Sequence, residues 1–281
     1  MSYFEVNFTI KPFTPFAEIL VAMLAEIGFE SFVEEESDSK LKAYIQETEF
    51  DELAIIQLLD HFSSECKLSF EITQIKKENW NQKWEESFSP VEVTDFCIIR
   101  APFHEPKSGF KHELLIEPKM SFGTGHHQTT QMMVELMQGI DFENKSVLDM
   151  GSGTGILAIL AAKLGATEIV AIDIEEWAYE NMQENFKRNH CESINAFLGD
   201  ASLIADKAEV YDSILANINK NTLQADLKHY DKALKPNGSI LLSGFYEHDV
   251  ADLFATDPLI NYSLQNQLQK DHWVALHLQK G

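Results

Sequence analysis

The chain is poor in cysteine and in cationic side chains, and it contains no long apolar run. Its three cysteines, Cys66, Cys97 and Cys191, stand far apart in 281 residues. An odd number at such spacings matches neither a disulfide framework nor a zinc site, and suits a reducing compartment. No run of about 18 apolar residues occurs, so no membrane-spanning helix is expected. The opening M-S-Y-F-E-V lacks a basic segment followed by an apolar one, so no secretory signal is expected and a cytoplasmic location is. Only 22 Lys and Arg stand against 45 Asp and Glu, for a formal net charge of -23. Such a surface repels phosphate backbones and attracts basic partners, although solubility alone also accounts for it. Direct nucleic-acid binding is therefore not expected. What the chain does have is 44% hydrophobic residues, enough for a packed core, and a length that accommodates two domains.

Its organising stretch is V-L-D-M-G-S-G-T-G, Val147 to Gly155. A short apolar run ends in Asp149, three glycines follow at alternate positions, and Ile156 to Leu164 is apolar and alanine-rich. That order predicts a buried strand, a tight turn and a helix start, with free N–H groups beside a ligand. Dinucleotide sites read G-x-G-x-x-G; the third glycine is displaced here, so no pyrophosphate cradle is implied. Gly151 and Gly153 are candidate ligand-facing positions, and a packed turn without ligand is the alternative. Glu168 to Ile174 is a second β-branched run, ending in Asp173 about 20 residues after the first glycine, where a carboxylate suits ribose hydroxyls. Capping the next helix, which opens with Glu175 and Glu176, is its other reading. Ala196 to Gly199 predicts a third strand ending at Asp200, an acid placed to accept from an adenine amino group or to cap a turn. Tyr211 to Ala216 predicts a fourth, ending at Asn217.

The remaining segments set the architecture. Tyr3 to Ile10, a helix carrying Phe16, Ile19, Leu20, Met23, Leu24 and Ile27 and closed by Gly28, strands Phe29 to Glu35 and Leu41 to Glu47, a helix capped by Asp51 and carrying Leu53, Ile56, Leu59 and Phe62, and Leu68 to Ile75 follow the ferredoxin-like βαββαβ order. This predicts a small α+β domain over 1–75, a linker helix over 76–90 with Trp80 and Trp84 one turn apart, and a larger domain over 91–281. In the latter, strands at Val91 to Ala101 and His112 to Glu117 precede the polar loop F-G-T-G-H-H-Q-T-T, Phe122 to Thr130. Adjacent His126 and His127 without an acid or Cys at ligand spacing argue against a metal. Thr129 and Thr130 are placed to cap the following helix, which runs to about Gln138, or to bond a ligand. Lys235 to Gly238 predicts a turn before a strand at Ser239 to Phe245, and Tyr262 to Gln269 with Trp273 to Gln279 a terminal hairpin. Repeated β-then-α units with that antiparallel pair predict a doubly wound α/β sheet.

With F-G-T-G-H-H-Q-T-T, D-M-G-S-G-T-G-I-L-A-I and the A-N-I after the fourth strand, nearly the whole chain resembles the bacterial ribosomal protein L-eleven methyltransferases of the PrmA type. The resemblance implies a Rossmann-like class I methyltransferase sheet behind a ferredoxin-like domain that recognises substrate. It implies S-adenosylmethionine as cofactor, held by Thr130, Gly151, Asp173 and Asn217, and methylation of lysine and possibly N-terminal amines of a large-subunit ribosomal protein by a monomer. Asn219 stands where the family usually has Leu. No general base is apparent, so no catalytic residue is assigned. A methyltransferase acting on nucleic-acid amines or glutamine, and a non-catalytic cofactor-binding scaffold, are the alternatives. The first is weakened by N-I-N-K at Asn217 to Lys220 in place of N-P-P-Y.

Overall fold

A computed structural model describes residues 2–62, 66–75, 85, 87–119 and 121–281. The expected tryptophans of the linker helix, Trp80 and Trp84, lie outside them. The chain divides into two compact units, Met1–Glu86 and Ser87–Gly281.

The first unit runs β1 (Tyr3–Lys11), α1 (Phe16–Glu26), β2 (Ser31–Glu35), β3 (Lys40–Gln46), α2 (Glu52–Leu59) and β4 (Lys67–Ile75). Its antiparallel sheet has the order β2-β3-β1-β4, the ferredoxin-like arrangement. Period-2 alternation buries Val6, Phe8 and Ile10 of β1 with Leu41, Ala43 and Ile45 of β3. The intervening residues, Glu5, Asn7, Lys42 and Tyr44 among them, lie on the opposite face. Gly28 follows α1 at φ +98, and Phe29 N–H closes back on Leu24 C=O at 3.2 Å. Asp51 caps α2 by accepting from Leu53 N–H at 2.9 Å. Of the apolar residues of α2, Ile55 and Leu58 are buried, whereas Leu53 and Ile56 are 68% and 44% exposed. Five of its eight residues are Leu or Ile, so apolar spacing alone does not fix which side turns inward.

The second unit opens with a small sheet of β5 (Val91–Val93), β6 (Cys97–Arg100) and β7 (His112–Leu115). The single strand expected over Val91 to Ala101 is two strands, folded back at Thr94, whose φ is 53. Next come α3 (Gln128–Met137), β8 (Ser146–Met150), α4 (Ile156–Lys163), β9 (Glu168–Asp173), α5 (Glu176–Arg188), β10 (Asn195–Leu198), β11 (Tyr211–Asn217), α6 (Lys220–Ala233), β12 (Leu234–Tyr246), α7 (Val250–Phe254), β13 (Tyr262–Lys270) and β14 (Trp273–Lys280). The seven-stranded sheet has the order β10-β9-β8-β11-β12-β14-β13, parallel except at β14, which pairs antiparallel with both neighbours. The turn expected at Lys235 to Gly238 is absorbed into the long β12, which bends at Asn237 with φ 60.

Successive residues of each inner strand serve two cores, as a sheet covered on both faces requires. Val147, Ile169, Leu215 and Leu241 pack with α3, α4 and α5, whereas Leu148, Ile172, Ile214 and Leu242 pack with α6. α5 also takes over part of a strand's role. Asn189 accepts from Leu115 N–H at 3.0 Å and donates to Leu115 C=O at 2.7 Å. One turn earlier, Asn185 accepts from Glu117 N–H at 2.9 Å and donates to Thr154 C=O at 2.9 Å. The segment entering the Phe122 loop is thus held by side chains of a helix and tied to the glycine turn.

Candidate functional site

Strand order reverses between β8 and β11, and the carboxyl ends of strands at such a point frame a ligand crevice. A cavity of about 500 Å³ lies there. Met150 and Gly151 at the end of β8, Asp173 and Ile174 at the end of β9, Gly199 and Asp200 just after β10, Asn217 to Asn219 at the end of β11, and Gly244 in β12 line it. Five of the six expected ligand-contacting residues, Gly151, Gly153, Asp173, Asp200 and Asn217, therefore come together in one cleft. The sixth, Thr130, is fully buried and does not line the cavity.

The floor is built by the glycines. Gly153 has φ +54, and a Cβ there would stand 2.2 Å from the Phe122 carbonyl oxygen; Gly151 has φ +67, and its Cβ would stand 2.2 Å from Ile218 Cγ2. Both the left-handed backbone and the close approach demand glycine. Thr154 fastens the Phe122 loop over this turn, its N–H donating to Phe122 C=O at 2.9 Å and its hydroxyl to Gly123 C=O at 2.7 Å. Asp173, only 9% exposed, accepts from Gly153 N–H at 2.8 Å through Oδ2 and from Glu175 N–H at 3.0 Å through Oδ1. Glu175, not Asp173, occupies the N-cap of α5. Each Asp173 oxygen keeps acceptor capacity, since an ionised carboxylate offers about four lone-pair sites. Asp200 caps a short 3-10 turn through Ser202 N–H at 2.9 Å, and the Ser202 hydrogen bonds hold its carboxyl below the usual range.

On the opposite lip, Asn217 Nδ2 donates to Thr130 Oγ1 at 3.4 Å, a long contact that orients the amide. Asn217 Oδ1 is buried and has no partner. The cap of α3 comes from His127, whose Nδ1 accepts from Thr129 N–H at 3.3 Å, and not from the threonines. Burial lowers the His127 pKa, so the ring is neutral at pH 7, and the accepting Nδ1 places its proton on Nε2. His127 also lines the cleft and packs edge-on against Trp273 at 4.8 Å. Of the apolar walls, Phe122 and Ile218 lie in the F-G-T-G-H-H-Q-T-T and A-N-I motifs, whereas no motif marks Ile174, Trp177 or Trp273 as a site residue. Ile174 carried a signal: it follows the strand-end acid and is 67% exposed.

Beneath the turn, Asp149 Oδ2 accepts from Ala158 N–H at 3.1 Å, and burial pushes the carboxyl from 3.8 up to about 7. A carboxyl raised on folding contributes stability fully below pH 3.8 and loses it as pH rises through about 7. Asp149→Asn keeps the acceptor and removes the titration. The stability of wild type relative to this variant should fall by an amount on the order of 4 kcal/mol between pH 4 and 8. Urea melts across that range measure it, and a constant difference would rule it out. Among the described residues no group of three or more His, Cys, Asp or Glu forms a metal site, and no helix is long and apolar enough to cross a membrane.

A mostly parallel sheet with an antiparallel penultimate strand, and a glycine turn and a strand-end acid at the switch point, are the architecture of a Rossmann-like class I methyltransferase. A family profile described as "Ribosomal protein L11 methyltransferase (PrmA)" matches residues 21–281. A ribosomal protein L11 methyltransferase of Phocaeicola vulgatus is 40% identical over 279 residues, covering 98% of each chain. One of Porphyromonas gingivalis is 42% identical over 261 residues, 92% of this chain and 89% of that one. The crystal structure of a ribosomal protein L11 methylase from Lactobacillus delbrueckii subsp. bulgaricus superposes with a TM-score of 0.62 at 25% identity, covering 69% of this chain and 99% of that one. The chain belongs to the ribosomal protein L11 methyltransferase family.

Proposed function

We propose that this chain transfers methyl groups from S-adenosylmethionine to amine nitrogens, those of lysine side chains and of the N-terminus, on the ribosomal protein for which its relatives are named. The observation that carries the reading is the buried, unpartnered Asn217 Oδ1 at the lip of a nucleoside-sized cleft. An orphaned acceptor is costly unless a ligand supplies an N–H. The Cβ-free floor at Gly151 and Gly153, and the spare acceptor sites of Asp173 opposite, suit a ribose and its backbone-hugging tail. Asp200 stands where an adenine amino group is to be met. Thr130 serves this site through Asn217.

The cofactor, when bound, supplies an activated sulfonium methyl, so the protein's task is orientation and exclusion of water. The acceptor must be a neutral amine, and deprotonating lysine at pH 7 costs about 4–5 kcal/mol from its reference pKa near 10.4. The apolar walls at Phe122, Ile218 and Trp273 offset this by disfavouring the ammonium. Asn217 Oδ1 accepts an amine N–H and aims the nitrogen lone pair. His127, neutral and already protonated at Nε2, is a donor and not the base. The first unit recognises the protein substrate, and the enzyme acts in the cytoplasm as a monomer. Incubation with tritium-labelled cofactor, using ribosomes from cells lacking this enzyme, should label a large-subunit protein, with intact mass rising in steps of one methyl. Label in ribosomal RNA, or in neither, would overturn the reading.

A further inference from the structure

The aromatic wall of the cleft continues beyond it. Tyr246, 40% exposed, stacks on Trp273 with ring centroids 4.1 Å apart and planes at 31°. His248 stacks on Tyr246 at 5.5 Å and 16°. Tyr246, Glu247, His248 and His272 line a second depression of about 450 Å³. Trp273 lines the cleft and Tyr246 this outer hollow, so one stacked pair separates the two.

Its frame is fixed from both sides. Glu247 N–H donates to His272 C=O at 2.9 Å, and Gln269 Nε2 holds Glu247 Oε2 at 2.8 Å. The hairpin tip turns through Asp271 and His272, both left-handed at φ 48 and 68. Gln128, in the first turn of α3 beside His127, donates to Asp271 Oδ2 at 2.9 Å. The exposed Glu247 therefore lines the hollow together with the Tyr246 and histidine rings, on a braced rim.

We propose that this hollow is a subsite for a second cationic side chain of the substrate protein, one or two residues from the acceptor lysine. The proposal rests on the methyl-transfer reading above. A carboxylate beside an aromatic face suits an ammonium or guanidinium group. An extended chain advances about 3.3–3.6 Å per residue, so a neighbour of a lysine lodged against Trp273 reaches across the stack to Tyr246. The chain's net charge of -23 favours a basic segment as the occupant.

The test is steady-state methylation of the ribosomal protein by Glu247→Gln and Glu247→Lys. The KM for protein should rise about threefold in the first and about tenfold in the second, as expected for a partly exposed cation site, with kcat and the cofactor KM at wild-type values. Peptides around the acceptor lysine, with neighbouring basic residues changed to alanine, should lose the same factor with wild type and nothing further with Glu247→Gln. Unchanged KM in both variants, or a loss confined to kcat or cofactor binding, would overturn the subsite. A wild-type enzyme inactive on the ribosomal protein would instead sink the functional reading.

Discussion

Asp173→Ala should weaken S-adenosylmethionine binding by about a hundredfold or more, the loss of two charge-assisted hydrogen bonds to ribose. The same carboxylate also accepts from Gly153 N–H at 2.8 Å and Glu175 N–H at 3.0 Å. Its removal therefore leaves a buried N–H unpaired at the glycine turn. Asp173→Asn keeps an acceptor for Gly153 and should fall between the two in affinity. Calorimetric titration of wild type and both variants checks the order, with thermal melts to separate loss of binding from loss of fold. An affinity for Asp173→Ala within threefold of wild type would remove the ribose contact from the mechanism.

Asn217→Ala should lower methylation by well over tenfold, in the range expected when a transition-state hydrogen bond is deleted. The truncation removes the acceptor Oδ1 and also strips Thr130 Oγ1 of its donor. Thr130→Val separates the two consequences. If Thr130 acts by orienting the amide, turnover should fall about fivefold, a neutral hydrogen bond's worth, with cofactor affinity retained. If Thr130 touches the cofactor, affinity should fall as well. Single-turnover rates alongside binding constants distinguish these outcomes, and wild-type turnover in Asn217→Ala would end the proposed role of its carbonyl.

The succession of strands along the chain and the residues at their ends were legible because glycine and acid at strand ends are local signals with few substitutes. Gly151, Gly153, Asp173, Asp200 and Asn217 meet in one cavity although 66 residues separate the first from the last. Thr130 carried a motif but not its depth, since burial beneath Asn217 depends on how α3 packs against the sheet. Trp273 carried only a strand signal and Tyr246 none. They reach the rim because β14 runs antiparallel beside β12, pairing Tyr246 with Trp273 across the strands. The inward side of α2 was illegible for a different reason: with apolar residues around most of the helix, only tertiary packing chooses between Ile55 and Ile56.

The asparagines of α5 hold the approach to the cleft by angular phase. Each residue added to or removed from a helix rotates its downstream turns by about 100°. A one-residue deletion between Glu176 and Asn185 would swing both amides away from Leu115 and Glu117, and the segment entering the Phe122 loop would lose these ties while the Thr154 bonds to the loop itself remained. Length changes in this helix therefore preserve these ties only in near-whole turns, which links the spacing of two polar side chains to the approach to a pocket neither of them lines.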